Sequence, residues 1–204
     1  MNLGFDRTPA SFYILAVIVV VSALALTVAP QLIQRNLLRP YRVVHQRALS
    51  ALVTCGFIHA NWSHLIFNAL TLYFFGPRLE ATIGTQRFLA LYLIGLVLSS
   101  LGTVWKHRND ENYASLGASG AILAVMFASI VYFPTSKIAF LFVPVPIPAP
   151  LFACGYLAYT IWASNQRRDG VNHDAHLDGA LTGLLFVALT DYGAWKRAFE
   201  TIFG

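Results

Sequence analysis

The sequence predicts an all-α polytopic membrane protein with six transmembrane helices around a water-accessible recess. Three observations carry this. Of 204 residues, 57% are hydrophobic and only 11% are charged, against about 25% charged in a soluble domain. The mean hydropathy is +0.61, which means more apolar surface than one soluble core can bury. Apolar segments recur along the whole chain, parted by polar or Pro/Gly-bearing stretches. A single membrane domain over residues 1–204 accounts for the length.

The first apolar segment, residues 11–28, is uncharged. It is longer than the roughly 7–15-residue core of a signal peptide, so it reads as a retained span. Residues 30–61 interleave Arg35, Arg39, Arg42 and Arg47 with leucine and valine. That pattern suits an interfacial loop whose arginine stems lie along apolar surface with their heads in water. The second span covers 63–76 and ends at Gly76-Pro77; the third covers 88–105. After the polar KHRNDENYAS, the fourth runs over 119–133 and stops before Pro134. FVPVPIPAP precedes the fifth, at 149–163. Its alternate prolines forbid a helix, and non-helical backbone at membrane depth calls for a protected or wet cavity. The sixth span is 176–190. Several of these fall short of the roughly 20 residues that cross a bilayer, so the recess is expected where the spans are short. Lys and Arg are spread too evenly for loop charge to set the orientation.

The net charge is +5 and the pI near 9.4, yet no Lys/Arg-rich block appears. Nucleic acid is therefore excluded as a partner, and the arginines suit anionic lipid headgroups. Cys55 and Cys154 lie in different segments and form neither a metal pattern nor a disulfide framework; both are expected as buried free thiols. His59 and His64 are five apart, and His173 and His176 three apart. Neither pair matches H-E-x-x-H or has a close carboxylate to complete a set, so no metal site is expected. A small transporter would carry polar groups at the midplane and often an internal repeat. No repeat is visible, and the polar groups gather toward one side.

Polar residues inside apolar spans are functional candidates by default. Ser119 stands at the head of the fourth span in SLGASGA, between Gly117 and Gly120. Two readings are open. It could be an N-cap beside packing glycines, or a nucleophile beside the unpaired amides of a helix start. Ala121 stands where a soluble-hydrolase elbow has its second glycine. His176 opens the sixth span in AHLDGALTG, where Gly179 and Gly183 form a close-packing face. If that face meets Gly120, the imidazole comes near the serine and can take its proton; otherwise His176 is a histidine at a helix end. His64 and Asn68 share a helical face. They can serve as oxyanion donors or as interhelical hydrogen bonds. Asp174 and Asp178 lie two residues either side of His176 and would not share its face, so the arrangement reads as a Ser–His dyad. Together these groups are what acyl transfer needs.

These motifs resemble the rhomboid family of intramembrane serine proteases. The likeness runs from about Thr54 to Leu189. HANWSHLIFNALTLYFFGPRLEATIGTQRFLALYLIGL resembles the second and third spans and their loop, and SLGASGA the nucleophile motif. FVPVPIPAP resembles the entry to the fifth span, and AHLDGALTG the histidine motif. The resemblance implies Ser119 as nucleophile, His176 as general base, and the Ser119 N–H with His64 and Asn68 as oxyanion hole. It implies a membrane-embedded loop over 30–61, with the fifth helix and SNQRRDGVNHDA as gate and cap. The implied substrates are single transmembrane helices with an unstable or small-residue stretch near the surface, with no cofactor. Two positions depart from the family. Leu123 stands where members often have an aromatic ring against the histidine, and Asp178 where a small or apolar residue is usual. A catalytically inactive relative that binds transmembrane helices is the rival within the family. The compact chain, with no evident presequence or soluble domain, suggests a bacterial cytoplasmic membrane, with a mitochondrial origin as the lesser alternative.

Overall fold

Pro9 opens the first helix, α1 (Pro9–Thr27). Its fixed φ suits a first turn, and the N–H it lacks would have been unpaired there. The computed structural model describes residues 8–140, 143–164 and 171–204. The stretch expected as one loop after α1 folds into short helical pieces: α2 (Gln31–Asn36), α3 (Pro40–Gln46), α4 (Ala51–Thr54) and a 3₁₀ turn, Cys55–Phe57. Leu38, Val43, Ala51 and Cys55 bury against Val104 beneath them. Burial explains the helical form, since amides packed away from water must pair within the chain.

α5 (Trp62–Ile83) begins where Asn61 accepts a hydrogen bond from the His64 amide at 2.9 Å. It runs straight through Gly76-Pro77, seven residues past the expected end. An interior proline costs a helix about 3 kcal/mol in water. Here Leu72, Gly76, Pro77, Leu79 and Glu80 are all buried, and a helix in an apolar setting has no better way to pair its remaining amides. α1 crosses at this point: a Cβ on Gly76 would stand 3.1 Å from that of Ser11.

Glu80 is 1% exposed and closes the start of α1. Its carboxyl oxygens accept from the amides of Ala10 (3.0 Å) and Ser11 (2.8 Å) and from the Thr85 hydroxyl (2.8 Å). The Thr8 side chain caps nothing, so Glu80 does from another helix what a local cap does elsewhere. Glu80→Ala strands two buried amides and should cost about 3 kcal/mol. Thermal unfolding in detergent checks this, with Glu80→Gln expected to lose less because one acceptor remains.

α6 (Thr85–His107) and α7 (Ser119–Tyr132) follow. Gly120 through Val131 are buried without a break, which makes α7 the centre of the bundle. At about 1.5 Å per residue its 14 residues span roughly 21 Å, less than a hydrocarbon core of about 30 Å.

The prolines of 143–148 are non-helical, as expected. They form the second strand of a hairpin, β1 (Lys137–Phe140) with β2 (Val143–Pro148), in the register Lys137↔Pro148 and Ile138↔Ile147. This departs from the all-α expectation. Proline's extended φ and missing N–H suit an edge strand, and Val145 is 65% exposed. The hairpin lies beyond the end of α7 remote from Ser119.

α8 (Ala149–Ala163) begins where expected. α9 (His173–Thr190) starts one turn before His176, because Asn172 accepts from the Ala175 amide at 3.0 Å and caps it there. The expected cap loop includes residues 165–170, outside the described residues. α10 (Tyr192–Phe203), not foreseen from the sequence, is capped by Asp191 on the Ala194 amide at 3.1 Å. By length and composition, α1 and α6 are apolar enough to cross a membrane; α7 and α8 are apolar but shorter. The outer surface is studded with apolar side chains, among them Phe67, Phe74, Trp105, Leu185 and Leu189. Cys55 is buried as expected, but Cys154 is exposed, on the same outward side of α8 as Leu151.

Candidate active site

The site forms where the N-terminal ends of α5, α7 and α9 meet. Gly117 has φ +119° and takes the His64 ring in the space where a side chain would be. Only glycine adopts that conformation without strain. Three further ties hold the segment before Ser119. Ser115 and Leu38 exchange backbone hydrogen bonds at 2.8 and 3.0 Å. The Gly117 amide donates to the Cys55 carbonyl at 2.9 Å. The Ala118 amide points at His59 Nε2 at 3.5 Å.

Ser119 is the first residue of α7. The N-cap is Ala118, and no side chain caps this end. The capping reading of Ser119 is therefore not what the structure shows. Its hydroxyl stands beside first-turn amides that have no partner within the helix.

α9 crosses α7 by backbone contact. A Cβ on Gly179 would meet the Gly120 carbonyl and lie 2.8 Å from Gly120 Cα; one on Gly183 would lie 2.9 Å from Ala124 Cα. Gly120 in turn faces the Ser99 side chain and the Ala175 carbonyl, whose oxygen would lie 3.2 Å from a Cβ on Gly120. The glycine face thus meets α7 at Gly120, and Ser119 and His176 flank that crossing. Tyr156 of α8 meets His176 Nδ1 through its hydroxyl at 3.0 Å, with the rings 24° apart in plane. Leu123 is buried among Met126, Phe127, Ile130 and the inward residues of α8. The ring beside the histidine comes from α8.

The acids lie elsewhere on α9. Asp174 pairs with Lys106 (2.6 Å) and His107 (3.2 Å) on α6. The Asp178 carboxyl fills the notch left by Gly102, also on α6. So Asp178 packs against a neighbouring helix, while His176 faces α8. His64 and Asn68 are one turn apart, and the Asn68 amide donates to the His64 carbonyl at 2.9 Å. The amide nitrogen carries a second hydrogen. A small cavity of about 20 Å³ opens beside Ser119, lined by Ser99, Ser100, Thr103, Ser115 and Asn172 among others. It has room for about one water. Among the described residues no group of three or more His, Cys, Asp or Glu could hold a metal.

His59 is the site residue the sequence reading missed, having been weighed only as a metal ligand. It is fully buried, with its ring 4.9 Å from that of His64. The Ser22 hydroxyl donates to the Phe57 carbonyl at 3.2 Å and sits 2.9 Å from His59 Nδ1. The hydroxyl hydrogen is thus committed, so the network assigns the proton to Nδ1 and leaves Nε2 to accept from Ala118. Burial, and then the neighbouring His64, push this imidazole down to about 3, from an ordinary value near 6.5. Between those values the unfolded chain binds a proton that the fold does not. The stability is present above about pH 6.5 and is lost as the pH falls. Melting temperatures between pH 7 and 4 should therefore drop more steeply in the parent than in His59→Gln, which starts lower but keeps a neutral donor and acceptor.

Comparison with known proteins matches residues 46–192 to the Rhomboid domain. The chain is 29% identical over 164 residues to RHOMBOID-like protein 12, mitochondrial, of Arabidopsis thaliana, covering 73% of this chain and 46% of that protein. It is 30% identical to Rhomboid protein 1, mitochondrial, of Saccharomyces cerevisiae, over 67% and 40%. It is also 30% identical to Presenilin-associated rhomboid-like protein A, mitochondrial, of Danio rerio, over 72% and 39%. The chain spans less than half the length of these curated relatives.

Proposed function

This chain belongs to the rhomboid family, a membrane-embedded one that includes intramembrane serine proteases, and we propose that it is such an endopeptidase, working through a Ser119–His176 dyad. The observation that carries the reading is the α7–α9 crossing, with Gly179 against Gly120 and a polar residue of each helix on either side. We assign the spans to α1, α5, α6, α7, α8 and α9. The short, buried α7 then puts Ser119 below the membrane surface, beside a polar cavity.

The chemistry follows from this arrangement. Ser119 Oγ attacks the scissile carbonyl carbon while its proton passes to His176 Nε2. The oxyanion is held by the Ser119 amide at the start of α7 and by His64 and Asn68. The imidazolium returns the proton to the leaving amine, and a water repeats the sequence to free the acyl group. A substrate helix has to unwind first, because a helical carbonyl is hydrogen-bonded and shielded. This favours single-span substrates with small or helix-breaking residues near the surface. No cofactor enters any step.

The test is cleavage of a single-span substrate by the full chain in liposomes. A product with a new terminus inside or next to the span supports the reading. A folded chain that binds such substrates and leaves them whole supports the helix-binding alternative. On location, the matched relatives carry mitochondrial names, which favours a mitochondrial-type membrane over the bacterial cytoplasmic one; fractionation of tagged protein distinguishes them.

A further inference from the structure

We infer that Tyr156 is a positioning residue for His176: its hydroxyl fixes which ring nitrogen carries the proton, and so ties the base to the seating of α8. The inference rests on the reading of His176 as the base.

A base that takes the serine proton on Nε2 must carry its own proton on Nδ1. Left alone, a neutral imidazole populates both forms, so something must hold Nδ1–H in place. Both acids at the start of α9 are committed to α6, Asp174 to Lys106 and His107 and Asp178 to the Gly102 notch. Among the described residues the Tyr156 hydroxyl reaches Nδ1, at 3.0 Å. A phenol hydroxyl can donate or accept; the acceptor role is assigned because only that pairing leaves Nε2 open to the serine proton, and the oxygen still accepts once the ring is an imidazolium. It does so without placing a second charge in an apolar setting, where an unpaired charge is costly.

The tyrosine is itself well held. Its ring centroid is 5.9 Å from Phe127 of α7 and 5.6 Å from Phe152, one turn back on α8. The neighbouring Tyr159 meets His173 edge-on at 5.4 Å, so it belongs to a different histidine. The support is nonetheless conditional. In α8 only Ala149, Thr160 and Ala163 are buried, against the unbroken burial of α7, and Gly155 faces open space. Leu151, Ile161 and Trp162 are exposed. The most loosely packed of the helices around the site therefore carries the group that orients its base. The base is aligned only while α8 is in place.

Tyr156→Phe is the test, since it keeps the ring packing and removes only the hydroxyl. In full-length protein it should lower kcat for a single-span substrate about tenfold or more, the scale of one hydrogen bond. KM should stay within about twofold and the melting temperature should be unchanged. Tyr159→Phe should leave kcat alone. In the parent, ¹⁵N resonances of His176, identified by their loss in His176→Ala, should show the Nδ1–H form. In Tyr156→Phe the Nε2–H form should grow. An unchanged kcat in a folded Tyr156→Phe, or an Nε2–H ring in the parent, overturns the inference. The resonance measurement needs no activity. A parent that shows Nδ1–H but cleaves nothing would overturn the protease reading and leave the Tyr156 bond standing.

Discussion

Ser119→Ala should abolish hydrolysis while leaving the fold intact. The loss in kcat should be about 10⁴-fold or more, the scale for removing a nucleophile from a serine dyad or triad. Thermal unfolding should move by no more than a few degrees, because Ser119 does not cap α7. That task falls to Ala118 with no side-chain bond. A methyl in place of the hydroxyl takes away no structural bond that holds the helix start, which the Leu38, Cys55 and His59 ties maintain. The combination is diagnostic. If Ser119 merely packed, activity and stability would fall together. His176→Ala should match it in rate, since nucleophile and base act as one unit, and Ser119→Ala with His176→Ala should cost little more than either alone.

Gly179→Val should be the most damaging single substitution for the fold. Its side chain would enter the space held by the Gly120 backbone. Backbone cannot turn aside as a flexible side chain can, so α9 has to lift off α7. Because α7 is buried along nearly its whole length, that separation opens the core. A loss above about 4 kcal/mol, or failure to fold, is expected. Gly179→Ala is the milder probe. The chain should fold, but a shift of about 1 Å between Ser119 and His176 should cost about 100-fold in rate. Gly155→Ala is the control: nothing lies within 4 Å of a Cβ there, so stability should hold or rise slightly. Melting temperature and hydrolysis, measured on the three variants together, check the set.

What could be read from the sequence follows a physical division. The α7–α9 crossing was legible because two glycines four apart on an apolar helix have few uses besides close contact. Ser119 and His176 stood out because a polar group in an apolar run needs a reason. The helix starting at Ala149 was legible because proline leaves little choice before it. By contrast, the passage of α5 through Pro77 depends on what packs around it, and a local rule about proline cannot see that. The pairing of β1 with β2 needed a partner strand whose sequence, KIAF, reads equally as the start of a helix. Tyr156 escaped notice, and His59 was weighed only as a metal ligand, because their importance lies in contacts across 20 and 37 positions of chain. Cys154 was misjudged as buried because the habit of cysteine says nothing of which way its helix faces.

The most direct measurement needs no substrate. The purified full chain is exposed in mild detergent to a fluorophosphonate, and the modified residue is found by mass spectrometry of the fragments. One adduct is expected, on Ser119, absent in Ser119→Ala and in His176→Ala. A folded chain that stays unmodified while a known serine hydrolase reacts in the same detergent would contradict it, as would an adduct elsewhere that survives both substitutions.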